Sequence, residues 1–530
     1  MIAMWAQATE RRYRLGARGL SAVAPVDQVL VLSLGASAAL LDLLRLPGTS
    51  LWGDEAFSVE LASSPGAVFW RFVSSEEANM VLYHVLLRGW LGITGMLGLL
   101  PDELVVRMPS ILFSAVATAV VYAVGRRWWG RAAGALGAAL LILNEVQLLS
   151  AREARSYELE VLLVCLGWYA LMAVLSSDRS SRAWWAAFAL FMTLALYAHF
   201  FSALVVAAQA CAVILLLVIR SEWRERARRS VRAAIASFGA IGLAALPLVL
   251  YALRHGSTNP QIPPAGMTEV ARFAWNVAGH DPLFALALGG AIVLAIALTV
   301  RTMRAGLRQR SSLLAPVLAL ACWLIVPIVL SYAATQPRFN LHLFAWGYLV
   351  VVVPALCLFA GIGIASLRRP LVRIGLVVAI ISGAAFATPG YSAAPSQDFR
   401  AASAWIAERY RPGDGLVATS WSSALGIAYY TRLGSVPSDL LSGSPVPWSW
   451  TGPGAIPLDL QAVSAYAAGH GRVFLVESLL AGDSADVKAR AGAAGAALAA
   501  GSRLVDEIAI PSSLGPVRVR LYEIAQPAYL

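Results

Sequence analysis

Two adjacent carboxylates and four arginines are the residues of this chain whose type and position carry the clearest chemical meaning. Asp54 and Glu55 stand side by side soon after a long apolar run. A carboxylate at a membrane edge has little water around it, and desolvation raises its pKa toward the range that suits a general base. The plainer alternative is an acid pair that ends a helix. Arg107, Arg152, Arg155 and Arg338 lie at the ends of apolar runs, on the side where the positive-inside rule does not put them. A guanidinium stays charged at any working pH and grips a phosphate through parallel N–H bonds. The four therefore point to an anionic ligand, Arg155 and Arg338 foremost, with pairing to Glu153, Glu158 and Glu160 as the structural alternative. His84, His199 and His342 each border apolar runs and read either as satisfied interfacial residues or as ligand contacts. No spacing of His, Cys, Asp or Glu makes a metal site, so a divalent cation has no support in the sequence.

These residues need elements to hold them, and composition says what kind. The 530 residues are 59% hydrophobic and 13% charged, against about half and a quarter in soluble domains. Several acid- and base-free runs reach the ~20 residues that cross a ~30 Å hydrocarbon core, among them Pro282 to Val300 and Leu341 to Leu367. The chain reads as a polytopic membrane protein. Its net charge of +11 is almost all arginine, gathered in short clusters between apolar runs, which excludes a nucleic-acid surface. Cys165, Cys211, Cys322 and Cys357 all lie inside apolar segments and read as small core residues. The polar N-terminus and the long first apolar run do not fit a cleavable signal peptide.

Putting the clusters Arg11–Arg18, Arg126–Arg131, Arg179–Arg182, Arg220–Arg232, Arg301–Arg310 and Arg368–Arg373 in the cytoplasm gives a consistent parity. About eleven spans follow, at 28–46, 104–125, 132–150, 157–176, 183–199, 200–219, 232–253, 283–302, 312–334, 342–366 and 371–390. The N-terminal segment 1–27 is then cytoplasmic and the C-terminus lies outside. Residues 79–99 are apolar but would break the parity as a span, so they are expected along the outer interface with Arg88 snorkelling. The first loop 47–103, the turn 150–157, the 197–200 turn, the loop 254–282 and the segment 336–340 all fall on the outer face. Polar residues of that face, Asn79, Tyr83, Tyr157, His199 and His342, are the candidates for substrate contact. From 392 to 530 alternating runs (Leu416–Thr419, Val473–Val476, Leu504–Ile508, Val517–Tyr522) interleave with helical ones (Asp398–Arg411, Leu458–Ala468, Asp486–Ala500), which predicts an outward-facing α/β domain following the 28–391 membrane module.

A base with phosphate-gripping arginines at an outer surface, and apolar grooves between helices, suits a lipid-phosphate substrate. In this light a resemblance is visible. The ordered segments Leu51-Trp52-Gly53-Asp54-Glu55-Ala56-Phe57-Ser58, Asn79-Met80-Val81-Leu82-Tyr83, Val106-Arg107-Met108-Pro109-Ser110, Arg126-Arg127-Trp128-Trp129-Gly130-Arg131, Glu153-Ala154-Arg155-Ser156-Tyr157 and Pro337-Arg338-Phe339 resemble the bacterial GT-C glycosyltransferases. The nearest branch is the protein O-mannosyltransferase and aminoarabinose-transferase-like group, and the matches run over roughly residues 28–345. The resemblance implies an inverting transfer, metal-independent or variably metal-dependent, from a polyprenyl-phosphate sugar at the outer face of the bacterial cytoplasmic membrane. Mannose or arabinose are the first candidate sugars, and a glycan, lipid or protein of the envelope is the acceptor. By position Asp54 is the implied base, with Arg155 and Arg338 binding the donor phosphate. The chain departs from the pattern at Asn79-Met80-Val81, where many relatives carry His-Pro-Pro. The competing readings are a transporter or flippase of lipid-linked sugars, disfavoured by few ionisable groups within spans, and a non-catalytic relative in an envelope-assembly complex.

Overall fold

The structure is a computed structural model that describes residues 24–46, 48–177, 181–219, 222–255, 265–304, 311–339, 341–391, 395–452, 454–480 and 483–524. The Arg11–Arg18 cluster, Arg179, Arg220, Arg308, Arg310, Asn340 and the loop residues 256–264 lie outside the described residues, as does most of the expected cytoplasmic segment 1–27. The chain divides into two compact units. One comprises the chain up to Arg45 together with Ser110–Tyr391, and the other comprises Leu46–Pro109 together with Ser392–Leu530.

The first unit is helical. Among the described residues five helices are long and apolar enough to cross a membrane: Pro25–Leu44, Glu103–Trp129, Tyr157–Ser176, Ala315–Ala334 and Tyr348–Ala365. Three bent pairs raise the number to eight: Arg131–Ile142 with Glu145–Ala151 (63°), Trp223–Ala244 with Leu246–His255 (46°), and Met267–Val277 with Pro282–Leu298 (98°). Each of the eleven expected segments contains helix, the 342–366 segment only from Tyr348 on, and the exact number of eleven crossings is not confirmed. Arg182–Ala198 and Ser202–Val218 are apolar helices of 17 residues each, and the last helix runs from Pro370 to Tyr391. The break in the expected 132–150 span has a local cause. Asn144 leaves helical dihedrals and its side chain accepts from the amides of Val146 (3.1 Å) and Gln147 (3.3 Å), so a second helix is capped and started there.

Small residues set the packing of this unit, as expected where lipid supplies no hydrophobic drive between helices. A Cβ on Gly361 would stand 2.6 Å from the Gly137 nitrogen, so Arg131–Ile142 and Val353–Ala365 touch backbone to backbone. Trp168 stacks on Trp323 at 5.4 Å, and the Trp323 indole donates to the Val351 carbonyl at 2.8 Å. Buried Asp27 accepts from Tyr122 (2.7 Å) and Arg131 (2.7 and 2.9 Å) and pairs with Arg126 (2.8 Å). The Arg126–Arg131 cluster is therefore tied to the start of the first span.

The second unit is α/β. Strands β1 (Gly415–Ala418), β4 (Arg472–Ser478), β5 (Ser502–Ile510) and β6 (Val517–Ile524) form one sheet in the order β1-β4-β6-β5, while β2 (Trp448–Ser449) and β3 (Gly454–Ala455) make a separate hairpin. β1 runs parallel to β4, and β6 is antiparallel to both β4 and β5. These four sheet strands fall on the four expected runs. The helix Trp421–Arg432 had no counterpart in the sequence reading, because its apolar residues are crowded rather than periodic; Ser420 caps it, accepting from the Ser423 amide at 3.3 Å.

The first-loop helices belong to this unit. Val81–Met96 has 16 residues, about 24 Å of helix, short of a ~30 Å core. Arg88 does not snorkel as expected. It donates to the carbonyls of Ala62 (3.0 Å) and Ser64 (2.7 Å), closing the end of the Gly53–Ser63 helix. That helix lies against Trp421–Arg432: a Cβ on Gly53 would meet the Ser422 Cβ at 2.5 Å, and the Gly53 amide donates to Gln397 at 2.8 Å. Gly53→Ala gains up to about 1 kcal/mol of helix propensity but pays overpacking of about 1–3 kcal/mol. The expected result is a lower midpoint in thermal unfolding of the full chain; an unchanged or higher midpoint would show that the two helices yield.

Candidate active site

The Gly53–Ser63 helix begins at Trp52, an extended residue, so Asp54 and Glu55 both stand in its first turn, where the helix dipole favours a negative charge. Successive helical residues point about 100° apart, and the two acids have different fates. Glu55 is fully buried. Its Oε1 accepts from Arg107 Nε at 2.7 Å and its Oε2 from Arg107 Nη2 at 2.5 Å, a bidentate pair. Asp54 is half-buried.

Arg107 was expected to bind a phosphate, but its donors are already placed. Besides the two bonds to Glu55, Nη1 donates to the Thr49 carbonyl (2.9 Å) and hydroxyl (2.7 Å), and Nη2 to the Ser50 carbonyl (2.9 Å). A guanidinium has five N–H groups, and these five bonds engage them all. Arg107 is a clamp on the 49–55 segment. Glu55, expected as a second catalytic acid, is the other half of that clamp.

The remaining first-loop candidates pack nearby. The Ala78–Met80 turn carries half-buried Asn79 and leads into Val81–Met96, whose Tyr83 and His84 are fully buried. The Tyr83 and His84 rings lie 6.1 Å apart, and His84 is edge-on to Phe57 at 5.9 Å. Tyr83, expected as a substrate contact, is thereby a core residue of the helices that carry Asp54.

In the helical unit Arg152 and Arg155 flank the turn that joins Glu145–Ala151 to Tyr157–Ser176, and both are 7% exposed. Arg152 donates from Nε to the Leu148 carbonyl at 2.9 Å and from Nη1 to the Arg45 carbonyl at 2.8 Å, and its charge acts on Asp42 and Glu145. It closes helix ends among buried acids. Arg155 sits in a different neighbourhood, close enough to His199 to act on it electrostatically. The His199 Nδ1 accepts the Phe201 amide at 3.2 Å, so the neutral ring carries its proton on Nε2. The His199 ring lies 5.9 Å from Tyr157 and 4.8 Å from Tyr348, and Glu160 beside it accepts from Ser202 at 2.6 Å. Arg155, Tyr157 and His199 are thus brought together, with Tyr348 and Glu160 as members that the sequence reading had not assigned to the site.

Two expected residues stand elsewhere in this unit. Arg338 is on an exposed turn with its guanidinium over the Phe339 ring at 5.9 Å. His342 is half-buried with φ 50°, a left-handed conformation uncommon outside glycine. The amides of Leu343 and Phe344 both donate to Thr335 at 2.8 Å and fix that loop. An apolar groove of about 330 Å³ opens at the bend between Ala244 and Leu246, lined by Leu196, Phe200, Phe238, Ile241 and Leu248. Phe200 follows His199 directly in the chain. Besides Asp27, four carboxylates sit almost fully buried in the helical unit among the described residues, Asp42, Glu145, Glu158 and Glu160. Among the described residues no group of three or more His, Cys, Asp or Glu is placed to hold a metal ion.

No protein-family model matches this chain, and no curated protein matches it. Solved structures do. ArnT from Cupriavidus metallidurans in the apo state superposes with a TM-score of 0.56 at 14% identity, covering 92% of this chain and 97% of that one. The same protein bound to undecaprenyl phosphate gives 0.55 at 13% identity over the same shares. The archaeal oligosaccharyltransferase AglB from Archaeoglobus fulgidus, in complex with an inhibitory peptide and a dolichol-phosphate, gives 0.50 at 11% identity, covering 84% of this chain and 69% of that one. At these identities the likeness is one of fold. The chain has the fold of the GT-C glycosyltransferase superfamily.

Proposed function

We propose that this protein transfers a sugar from a polyprenyl-phosphate donor to an acceptor hydroxyl at the outer face of the bacterial cytoplasmic membrane. The observation that carries the reading is the position of Asp54, half-buried in the first turn of a helix whose next residue, Glu55, is held by Arg107. Asp54 takes the proton of the acceptor hydroxyl as its oxygen attacks the anomeric carbon. The bond from that carbon to the lipid phosphate breaks, the phosphate leaves with the electron pair, and the anomeric configuration inverts. Within the helical unit, Arg155 with the His199 Nε2–H beside it offers the positive charge and donor suited to a lipid phosphate. The apolar groove beginning at Phe200 is suited to the start of an isoprenoid tail. The neighbours solved with undecaprenyl phosphate and with a dolichol-phosphate support a donor of this class.

Free polyprenyl phosphate is expected to compete with the donor, and polyprenol of the same length to compete far more weakly. Arg155→Ala should raise the donor KM by about ten- to a hundredfold, the loss expected for a hydrogen bond to a charged group. Arg155→Lys should recover part of it, since a point charge lacks the bidentate fork. Equal inhibition by phosphate and alcohol, or an unchanged donor KM in Arg155→Ala, would remove phosphate recognition from this residue. Mannose- and arabinose-linked donors are the first to test, with envelope glycans, lipids and proteins as acceptors. The one observation that favours transport is the set of buried carboxylates in the helices; two of them are held locally, Glu158 accepting from Gln147 and Glu160 from Ser202.

A further inference from the structure

The helix that carries Asp54 starts without a side-chain cap of its own. The first amides of a helix have no partner within it, and a Ser, Thr, Asp or Asn just before the start ordinarily meets one of them. Here that place is held by Trp52, whose indole is a donor only. An acceptor arrives from far along the chain instead. The Gly53 amide donates to Gln397 Oε1 at 2.8 Å, between residues 344 positions apart.

Gln397 is fully buried, and both ends of its carboxamide are engaged. Nε2 donates to Ser478 Oγ at 2.7 Å and to Ser422 Oγ at 3.4 Å. The Gly53 N–H can only donate, so the oxygen end must face it and the carboxamide has one orientation. Ser478 is the last residue of β4, and Ser422 stands in the first turn of Trp421–Arg432. Both are buried to 2% exposure or less. The sheet and that helix therefore fix Gln397, and Gln397 fixes the residue before Asp54. All of these residues belong to the same compact unit. A side chain present for packing alone would be apolar here, because burying a carboxamide is costly unless its bonds are made. The fit is close as well: a Cβ on Gly53 would stand 3.1 Å from Gln397 Oε1. Two positions earlier the Leu51 amide donates to the Tyr430 hydroxyl at 3.1 Å, so the tail holds this approach twice.

We propose that Gln397 is a positioning residue for Asp54: by capping the Gly53 amide it sets where the first turn of the helix, and with it the Asp54 carboxylate, stands. The inference rests on the transferase reading above and adds a residue of the α/β tail to its machinery. A base must lie within hydrogen-bond reach of the proton it takes, and a displacement of about 1 Å can cost on the order of a hundredfold in rate. Donor binding, assigned above to residues of the helical unit, does not run through this bond. The effect therefore falls on turnover rather than on donor affinity.

The test compares Gln397→Leu with Gln397→Glu in the full-length chain in nanodiscs. It reads kcat, donor KM, the unfolding midpoint and amide hydrogen exchange over residues 51–60. Leucine roughly keeps the volume and removes the acceptor. Glutamate keeps the acceptor, the Ser478 and Ser422 hydroxyls can turn to donate to it, and a carboxylate suits a helix N-terminus. Gln397→Leu is expected to lower kcat at least about tenfold with donor KM within about twofold, and to speed exchange over residues 51–60. Gln397→Glu should recover most of both. An unchanged kcat in folded Gln397→Leu, a glutamate variant no better than the leucine one, or a change in donor KM alone overturns the proposal. Ser478→Ala covers the case in which Gln397→Leu fails to fold: it removes the 2.7 Å bond that orients the carboxamide, so kcat should fall and exchange quicken to a smaller extent, and no change in either overturns the proposal. Turnover by the wild type separates the two claims. Turnover from a lipid donor that the variants leave unmoved sinks the positioning role alone. No turnover from any lipid donor sinks the transferase reading, and exchange then still decides whether Gln397 holds the helix start.

Discussion

Asp54→Asn is expected to lower the transfer turnover by at least about a hundredfold, the low end of what a general base contributes, while donor affinity stays within about twofold. The substitution is nearly isosteric, and an asparagine in the first turn of a helix is well tolerated. The clamp beside it is untouched, because Glu55 and Arg107 bind each other, and Arg107 the carbonyls of Thr49 and Ser50, without it. What is lost is the ability to accept a proton. The measurement is kcat and donor KM on purified protein, with thermal unfolding as the fold control. A variant turning over near the wild-type rate would take Asp54 out of the mechanism. A fall in donor affinity alone would make it a binding residue.

The second large effect is on stability. Arg107→Ala leaves Glu55 fully buried with its partner removed, and an uncompensated buried charge costs about 3–5 kcal/mol. It also frees the carbonyls of Thr49 and Ser50 that shape the approach to Trp52. The expected outcome is a marked drop in the unfolding midpoint of the full chain, with activity lost along with fold. Pairing the change with Glu55→Leu should restore much of the midpoint, because apolar residues replace a buried ion pair at little cost. If Arg107→Ala keeps its midpoint and loses only donor affinity, the residue is a phosphate ligand, as its position in the sequence had implied.

These two predictions mark where the sequence could be read and where it could not. The helical segments were legible because lipid demands long apolar runs, and the sheet strands because they are short β-forming runs, buried throughout in β1 and nearly so in β4, and alternating in β6. The bend inside the 132–150 segment was not. Asn144 breaks a continuous apolar run by capping a new helix, an event decided by one side chain rather than by hydropathy. Asp54 was findable as an acid near a span end. Its separation from Glu55 was not, because it depends on Arg107, which lies 52 residues away in the chain. Likewise, four span-end arginines looked equivalent in sequence. In the fold Arg107 is fully engaged, Arg152 caps backbone carbonyls, Arg155 is buried near His199, and Arg338 is exposed. The buried Asp42, Glu145, Glu158 and Glu160 did leave a signal, since an acid inside or bordering an apolar run is costly and calls for a reason.

In the proposed reaction a lipid phosphate is the leaving group. This is tested most directly by supplying the purified protein with polyprenyl-phosphate sugars and, separately, with the matching nucleotide sugars, and counting free polyprenyl phosphate against sugar transferred to envelope acceptors. One lipid phosphate released per sugar transferred, with nothing moved from the nucleotide donors, is the predicted result. Transfer from a nucleotide sugar would contradict it, and so would movement of intact lipid-linked sugar across the bilayer with no phosphate released.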